Sequence, residues 1–338
     1  MFVLQVAVVK GGGGITTAVR HYARMFDRVG VRHACVYRGP DDAALRAEGL
    51  DIIQAPPSLT ARGIASLLPH GALRAEVTKR GEPAAIIVHS DLALAAMARM
   101  FPNAWLVTPC HSDKTKHKRR AHLVVTLNAD QDARVRAGLR GAQSLVALLG
   151  NPYVPPADAT PPTADGPPRV NFVGRFIDTK DPLALVKAAT LMQAKPAFRF
   201  IGAGELDAET RAAASAALLD AEFPGWISKP FAQFHRNDML VLPSHWEGLP
   251  YLLLEALDHS VPTIASDIPG NRAALGDGAY GELYTLGDAQ ALARTLDQAL
   301  ANLDALRAKA EKGRAAVAAH YGAEAFWTAL KSALGLVA

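Results

Sequence analysis

A chain of 338 residues, half of them hydrophobic, is long enough to bury two cores and too long to be read comfortably as one. Its 36 Lys and Arg against 32 Asp and Glu leave a net charge of +4, too nearly balanced for whole-molecule electrostatics to select a class of partner. Two distant cysteines, Cys35 and Cys110, exclude a disulfide framework and a cysteine-ligated zinc site and fit a reducing cytoplasm.

The apolar start, FVLQVAVV at 2–9, carries no basic leader and no cleavage site, and reads as a first strand. No uninterrupted apolar run reaches the ~20 residues that cross a bilayer, so the chain reads as soluble or peripherally bound. KGGGGITTAV at 10–19 is a glycine loop opening a helix over 15–29. Its spacing fails the dinucleotide fingerprint, because Gly11 needs a small partner where Thr16 stands and Gly12 meets Thr17. Arg38, near the end of the second strand, suits a 2′-phosphate and keeps an NADP-dependent oxidoreductase as a rival reading. Apolar runs at 84–88, 104–108, 122–126 and 144–149 alternate with helical periodicity at 91–100 and 129–138, the pattern of a parallel sheet with crossover helices. His89 and His111 each follow a strand, where ligands of such sheets bind. The run DKTKHKRRAH at 113–122 holds Lys114, Lys116, Lys118, Arg119 and Arg120. It reads either as a solvated face or as a surface for an anionic acceptor or membrane. With no aromatic interleaving, nucleic acid is not expected. Asp130-Gln131-Asp132 matches a metal-binding DxD, but it follows Asn128 where a capped helix begins, so it reads as helix initiation and no metal is expected.

PYVPPADATPPTADGPP at 152–168 is a proline-dense linker. It divides a first domain at 1–152 from a second at 169–318, with the linker at 153–168. Beyond it RVNFV (169–173), FRFIG (198–202), MLVLP (239–243) and PTIAS (262–266) read as strands. The tail from 287 is helical with breaks at Gly313 and Gly322, its last helix spanning 319–338. The fold class is therefore α/β, with two Rossmann-like domains facing across a cleft.

The most informative stretch is LPSHWEGLPYLLLEALDHSVPTIASDIPG at 242–270. Pro250 suits the first helical position, which makes Leu249 the cap. Leucine cannot accept the orphan N–H groups, so this helix start offers bare donors and a positive dipole end to a phosphate. Glu247 lies just outside it and Glu255 on its second turn. The plain alternative is a water-capped helix with two solvated glutamates.

PSHWEGLPYLLLEAL resembles the donor-site signature of retaining glycosyltransferases of the GT-B fold, particularly the large family four. VGRFIDTKDPLALVKAA at 173–189 resembles that family's strand and Gly-Arg, Lys segment, and FRFIGAGEL at 198–206 its strand and Gly-x-Gly turn. The resemblance implies that Arg175 and Lys180 grip the donor diphosphate, joined by Gly12 and Gly13 of the glycine loop and by Leu249, Tyr251 and Leu252 at the helix start. It places Gly202 and Gly204 beside the nucleobase, Glu255 on the ribose, Glu247 on hydroxyls of the transferred sugar and His111 close to that sugar. It implies a C-terminal helix returning to the first domain. Ala273 departs from the pattern, standing where an acidic residue is often found.

The expectation is a metal-independent hexosyltransferase that retains anomeric configuration. It needs no cofactor beyond its nucleotide-diphosphate sugar, a UDP-sugar being favoured. Its acceptor would be a cell-envelope glycan or glycolipid such as lipopolysaccharide core, reached from the cytoplasm or from the inner face of the cytoplasmic membrane. The alternatives are a nucleotide-sugar 2-epimerase or hydrolase of the same fold and a silent nucleotide-sugar binder.

Overall fold

A computed structural model of the protein describes residues 1–10, 13–60, 70–156, 162 and 164–335. The first half runs β1 (Phe2–Val8), α1 (Gly14–Arg28), β2 (Arg32–Arg38), α2 (Asp42–Ala47), β3 (Ile52–Gln54), α3 (Gly71–Thr78) and β4 (Ala85–Val88). It continues with α4 (Leu94–Met100), β5 (Trp105–Pro109), β6 (Leu123–Thr126), α5 (Ala129–Gly138) and β7 (Leu145–Leu148). The second half begins β8 (Arg169–Val173), α6 (Pro182–Leu191), β9 (Ala197–Ile201), α7 (Asp207–Ala216), β10 (Ala221–Gly225), β11 (Met239–Leu242) and α8 (Tyr251–Asp258). It ends β12 (Thr263–Ser266), α9 (Pro269–Leu275), β13 (Glu282–Tyr284), α10 (Ala289–Ala301), α11 (Leu303–Tyr321) and α12 (Ala323–Ala333).

The chain divides into two compact units, Met1–Val154 with His320–Ala338, and Pro155–Ala319. In the first, seven strands lie in the order β3-β2-β1-β4-β5-β6-β7, and every pair is parallel. In the second, six parallel strands follow β10-β9-β8-β11-β12-β13. Each order reverses once, beside β1 and beside β8, the doubly wound arrangement that brings functional loops to the carboxyl ends of the central strands. Strand residues are buried on both faces, as Val3, Leu4, Val6 and Ala7 are in β1, because helices cover both sides.

The C-terminal helix belongs to the first unit for a specific reason. Tyr22 and Phe26 on the buried face of α1 meet Phe326 and Trp327 of α12 edge to face, with centroids 5.7 and 5.8 Å apart. Tyr153 ties the returning chain by donating its N–H to the Tyr321 carbonyl at 2.7 Å. Tyr153 and Val154, read from sequence as linker, thus lie in the first unit, with the Tyr153 ring against His21. Residues 157–161 and 163 of the linker lie outside the described residues.

Two sequence expectations need correction. Gly313 does not break the tail but sits buried within α11, where an added Cβ would lie 2.7 Å from Leu257 Cδ2 and 2.9 Å from Tyr280 Cβ. The glycine serves close packing of the helix, and the break comes instead at Asn302, which closes α10. Helix α8 begins at Tyr251, with Pro250 in extended conformation as its N-cap, one residue later than its fixed φ suggests. Pro250's carbonyl already accepts from Leu253 and Leu254. Among the described residues no helix is long and apolar enough to cross a membrane.

Candidate functional site

In the second unit the site grows from the loops that leave β8, β9, β11 and β12. Gly174 donates its N–H to the Ile201 carbonyl at 2.9 Å and Phe176 to Ala203 at 2.9 Å, zipping the β8 loop to the β9 loop. This approach requires glycine. A Cβ on Gly202, whose φ is +144°, would lie 1.8 Å from the Gly174 carbonyl oxygen, and one on Gly204 would lie 2.4 Å from that of Phe176. The two glycines therefore hold in place the loop that carries Arg175. The Arg175 side chain is exposed and forms no ion pair among the described residues.

Four residues past Arg175, the β8 loop is sewn to the β11 loop. His245 donates its backbone N–H to the Thr179 carbonyl at 2.9 Å, and its Nε2 lies 2.8 Å from Asp181 Oδ2. Asp181 adopts a left-handed φ of 44° and caps α6 by accepting the Ala184 N–H at 3.0 Å. Between these ties, half-buried Lys180 donates its ammonium to Glu247 Oε1. The Glu247 backbone is pressed from the other side by α9, since a Cβ on Gly270 would come within 2.4 Å of its carbonyl oxygen. Beneath the loop a buried chain runs from Asn271 Nδ2 to Ser266 Oγ at 3.1 Å, and from that hydroxyl to the Ser244 carbonyl at 2.5 Å.

Helix α8 has no side-chain cap. Leu249 and Tyr251 are buried, Leu252 is half-buried, and Glu255 stands half-buried on the second turn. Sequence reasoning missed His245 and Gly270 as members of this cluster. Both fall inside the stretch singled out, but only its glutamates carried an obvious chemical signal.

The first unit holds a separate cluster at the carboxyl ends of β1, β4 and β5. Buried His89 contacts half-buried His111, Nδ1 to Nε2 at 3.1 Å, and its own Nε2 meets Gln5 Oε1 at 3.0 Å. Burial, and secondly the Lys118 ammonium, pull the His111 pKa down to about 4. His89 is held well below its ordinary value by burial and then by His111.

Lys118 corrects the reading of the basic run. It is fully buried, donates to Asp91 and gives a further bond to the Lys114 carbonyl at 3.0 Å, so it faces neither solvent nor a membrane. Lys114, Lys116, Arg119 and Arg120 are exposed. Asn128 caps α5 by accepting the Gln131 N–H at 2.9 Å, and Asp132 accepts from Thr126 at 2.7 Å, which makes the DxD stretch a helix start. Gly13 is the N-cap of α1 with open space around it, while Gly12 lies outside the described residues.

The family model described as "Glycosyl transferases group 1" matches residues 157–316. Among curated proteins, the chain is 31% identical over 147 residues to the Escherichia coli UDP-Gal:alpha-D-GlcNAc-diphosphoundecaprenol alpha-1,3-galactosyltransferase, covering 39% of this chain and 37% of that protein. It is 24% identical over 206 residues to the lipopolysaccharide core biosynthesis glycosyltransferase LpsE of Rhizobium meliloti, covering 61% and 58%. The matches span between 19% and 58% of the curated relatives' own lengths. Among solved structures, Anabaena HepE in complex with UDP and glucose aligns over 100% of both chains with a TM-score of 0.76 at 16% identity, a likeness of fold. Residues 157–316 thus carry the match to the glycosyl transferases group 1, and the two parallel sheets have the GT-B fold.

Proposed function

We propose that the chain is a retaining, metal-independent glycosyltransferase that moves a sugar from a UDP-sugar to a cell-envelope glycan or glycolipid. The observation that carries this reading is the Lys180–Glu247 pair, formed where the β8 and β11 loops are sewn together and flanked by Arg175 and the start of α8. Breaking the anomeric C–O bond leaves charge on a nucleoside diphosphate, which cations and a helix N-terminus stabilise without a metal. Without donor, Glu247 neutralises Lys180. An arriving diphosphate takes over the Lys180 ammonium together with Arg175 and the backbone of Leu249, Tyr251 and Leu252. Glu247 is thereby released to accept hydroxyls of the transferred sugar. Glu255 then serves the ribose and Gly202 and Gly204 shape the nucleobase side, while in the first unit neutral His111 accepts a substrate hydroxyl. Transfer proceeds on the face the diphosphate leaves, its oxygen taking the acceptor proton.

UDP is supported by the HepE complex and by the donor in the Escherichia coli relative's name, and lipopolysaccharide core by the likeness to LpsE. The exposed Lys114, Lys116, Arg119 and Arg120 suit an anionic acceptor or the inner face of the cytoplasmic membrane. The test is a thermal-shift screen of UDP-, GDP- and ADP-sugars in EDTA. The cognate donor stabilises by RT ln(1 + [L]/Kd), about 2.7 kcal/mol at a hundredfold excess over Kd. Stabilisation that appears only on adding Mn²⁺ contradicts the metal-independent reading.

A further inference from the structure

The histidine pair is the end of a longer chain whose hydrogen-bond polarity is fixed. Gln5, buried in β1, points its amide nitrogen at the Val19 carbonyl of α1 at 3.3 Å. A carbonyl only accepts, so the Gln5 Nε2 donates there and its Oε1 must face the other way. That oxygen lies 3.0 Å from His89 Nε2, which must therefore carry a proton. A neutral imidazole carries only one, so His89 Nδ1 presents a lone pair. His111 Nε2, 3.1 Å away, supplies the remaining proton. The reverse assignment would set two lone pairs against each other, either between Gln5 and His89 or between Gln5 and Val19. A doubly protonated His89 would also fit the distances. Its fully buried ring, packed edge-on to Tyr22 at 5.2 Å, has no counter-charge among the described residues, and burial favours the neutral form.

We propose that Gln5 and His89 are positioning residues that lock His111 in the Nε2–H tautomer, leaving its Nδ1 as an obligate hydrogen-bond acceptor for a substrate hydroxyl. Nδ1 has no hydrogen-bond partner among the described residues, and His111 is the half-buried end of an otherwise buried chain. The relay also couples β1, β4 and β5 to α1, the helix that opens at the glycine loop. The assignment of the accepted group to a substrate rests on the glycosyltransferase reading, whereas the tautomer does not.

Long-range proton–nitrogen correlation spectra of the full chain with ¹⁵N-histidine decide the matter, with the His111 signals identified by their loss in His111→Asn. The expected result is a protonated Nε2 and a bare Nδ1 at neutral pH. Gln5→Met, which keeps the length and removes the acceptor, should turn this single pattern into a mixture and lower kcat for transfer about tenfold with little change in donor KM. An Nδ1–H or imidazolium pattern in the unaltered chain overturns the proposal even if the variant fails to fold. So does an unchanged pattern in a folded Gln5→Met. If the pattern becomes mixed while transfer is unaffected, the relay stands and His111 is removed from the reaction.

Discussion

Lys118 shows how much one side chain's direction matters. Four of the five basic residues between 114 and 120 are exposed, yet Lys118 turns inward to Asp91. Removing one partner of a buried pair leaves the other charge uncompensated, so Lys118→Met should destabilise the fold by about 3 kcal/mol. Neutralising Lys114, Lys116, Arg119 and Arg120 together should leave unfolding nearly unchanged and weaken binding to anionic vesicles. Denaturant melts and vesicle sedimentation separate the two effects, and equal melts for both variants contradict the burial argument. Nothing in the run itself marks Lys118 out, because its partner lies 27 residues away in sequence. The same holds for His245, whose partner Asp181 is 64 residues distant. The two glutamates, by contrast, stand out only through the family resemblance of the stretch that holds them, and on the proposed roles they should fail differently. Glu255→Gln should weaken UDP binding with or without a sugar, while Glu247→Gln should lower transfer and spare free UDP. Each effect should be roughly tenfold to a hundredfold, the worth of a charged hydrogen bond. Calorimetry and single-turnover rates that show the same loss in both variants contradict the assigned roles.

At the scale of elements, the glycines separate packing from function. Gly202→Ala drives a Cβ into the Gly174 carbonyl, so it should displace the loop carrying Arg175, costing both stability and UDP affinity. Gly313→Ala meets Leu257 and Tyr280 on α11 and should cost stability alone. Thermal melts and UDP titration of both check this, and full UDP affinity in Gly202→Ala contradicts the positioning role. Strands such as β11 could be read directly because they are continuous apolar runs, buried on both faces between helices. β10 could not be, since AEFPG alternates in exposure and holds a proline and a glycine. β3 and β13 are three residues each, too short to show a period. In α11 the requirement for glycine comes from across the core, at Leu257 and Tyr280, and leaves no local mark.

For the whole molecule, three histidines of the first unit should set a pH dependence. Burial lowers His21 to about 3 and His111 to about 4, and holds His89 well below 6.5. Each would bind a proton near pH 6.5 once unfolded and resists it when folded, so the unfolded chain takes up more protons in between. Stability is thus fully present above about pH 6.5 and is lost as pH falls towards 4. A Tm that stays flat across this window contradicts the neutral histidine cluster. The proposed chemistry lies in the second unit, a diphosphate held by cations in place of a metal. The most direct test is calorimetric titration of UDP in EDTA into the unaltered chain, Arg175→Ala and Lys180→Ala. UDP should bind the unaltered chain and lose affinity roughly tenfold or more in each variant, with unchanged melts in the absence of ligand. Full affinity in both variants, or no binding by the unaltered chain until Mn²⁺ is added, would contradict it.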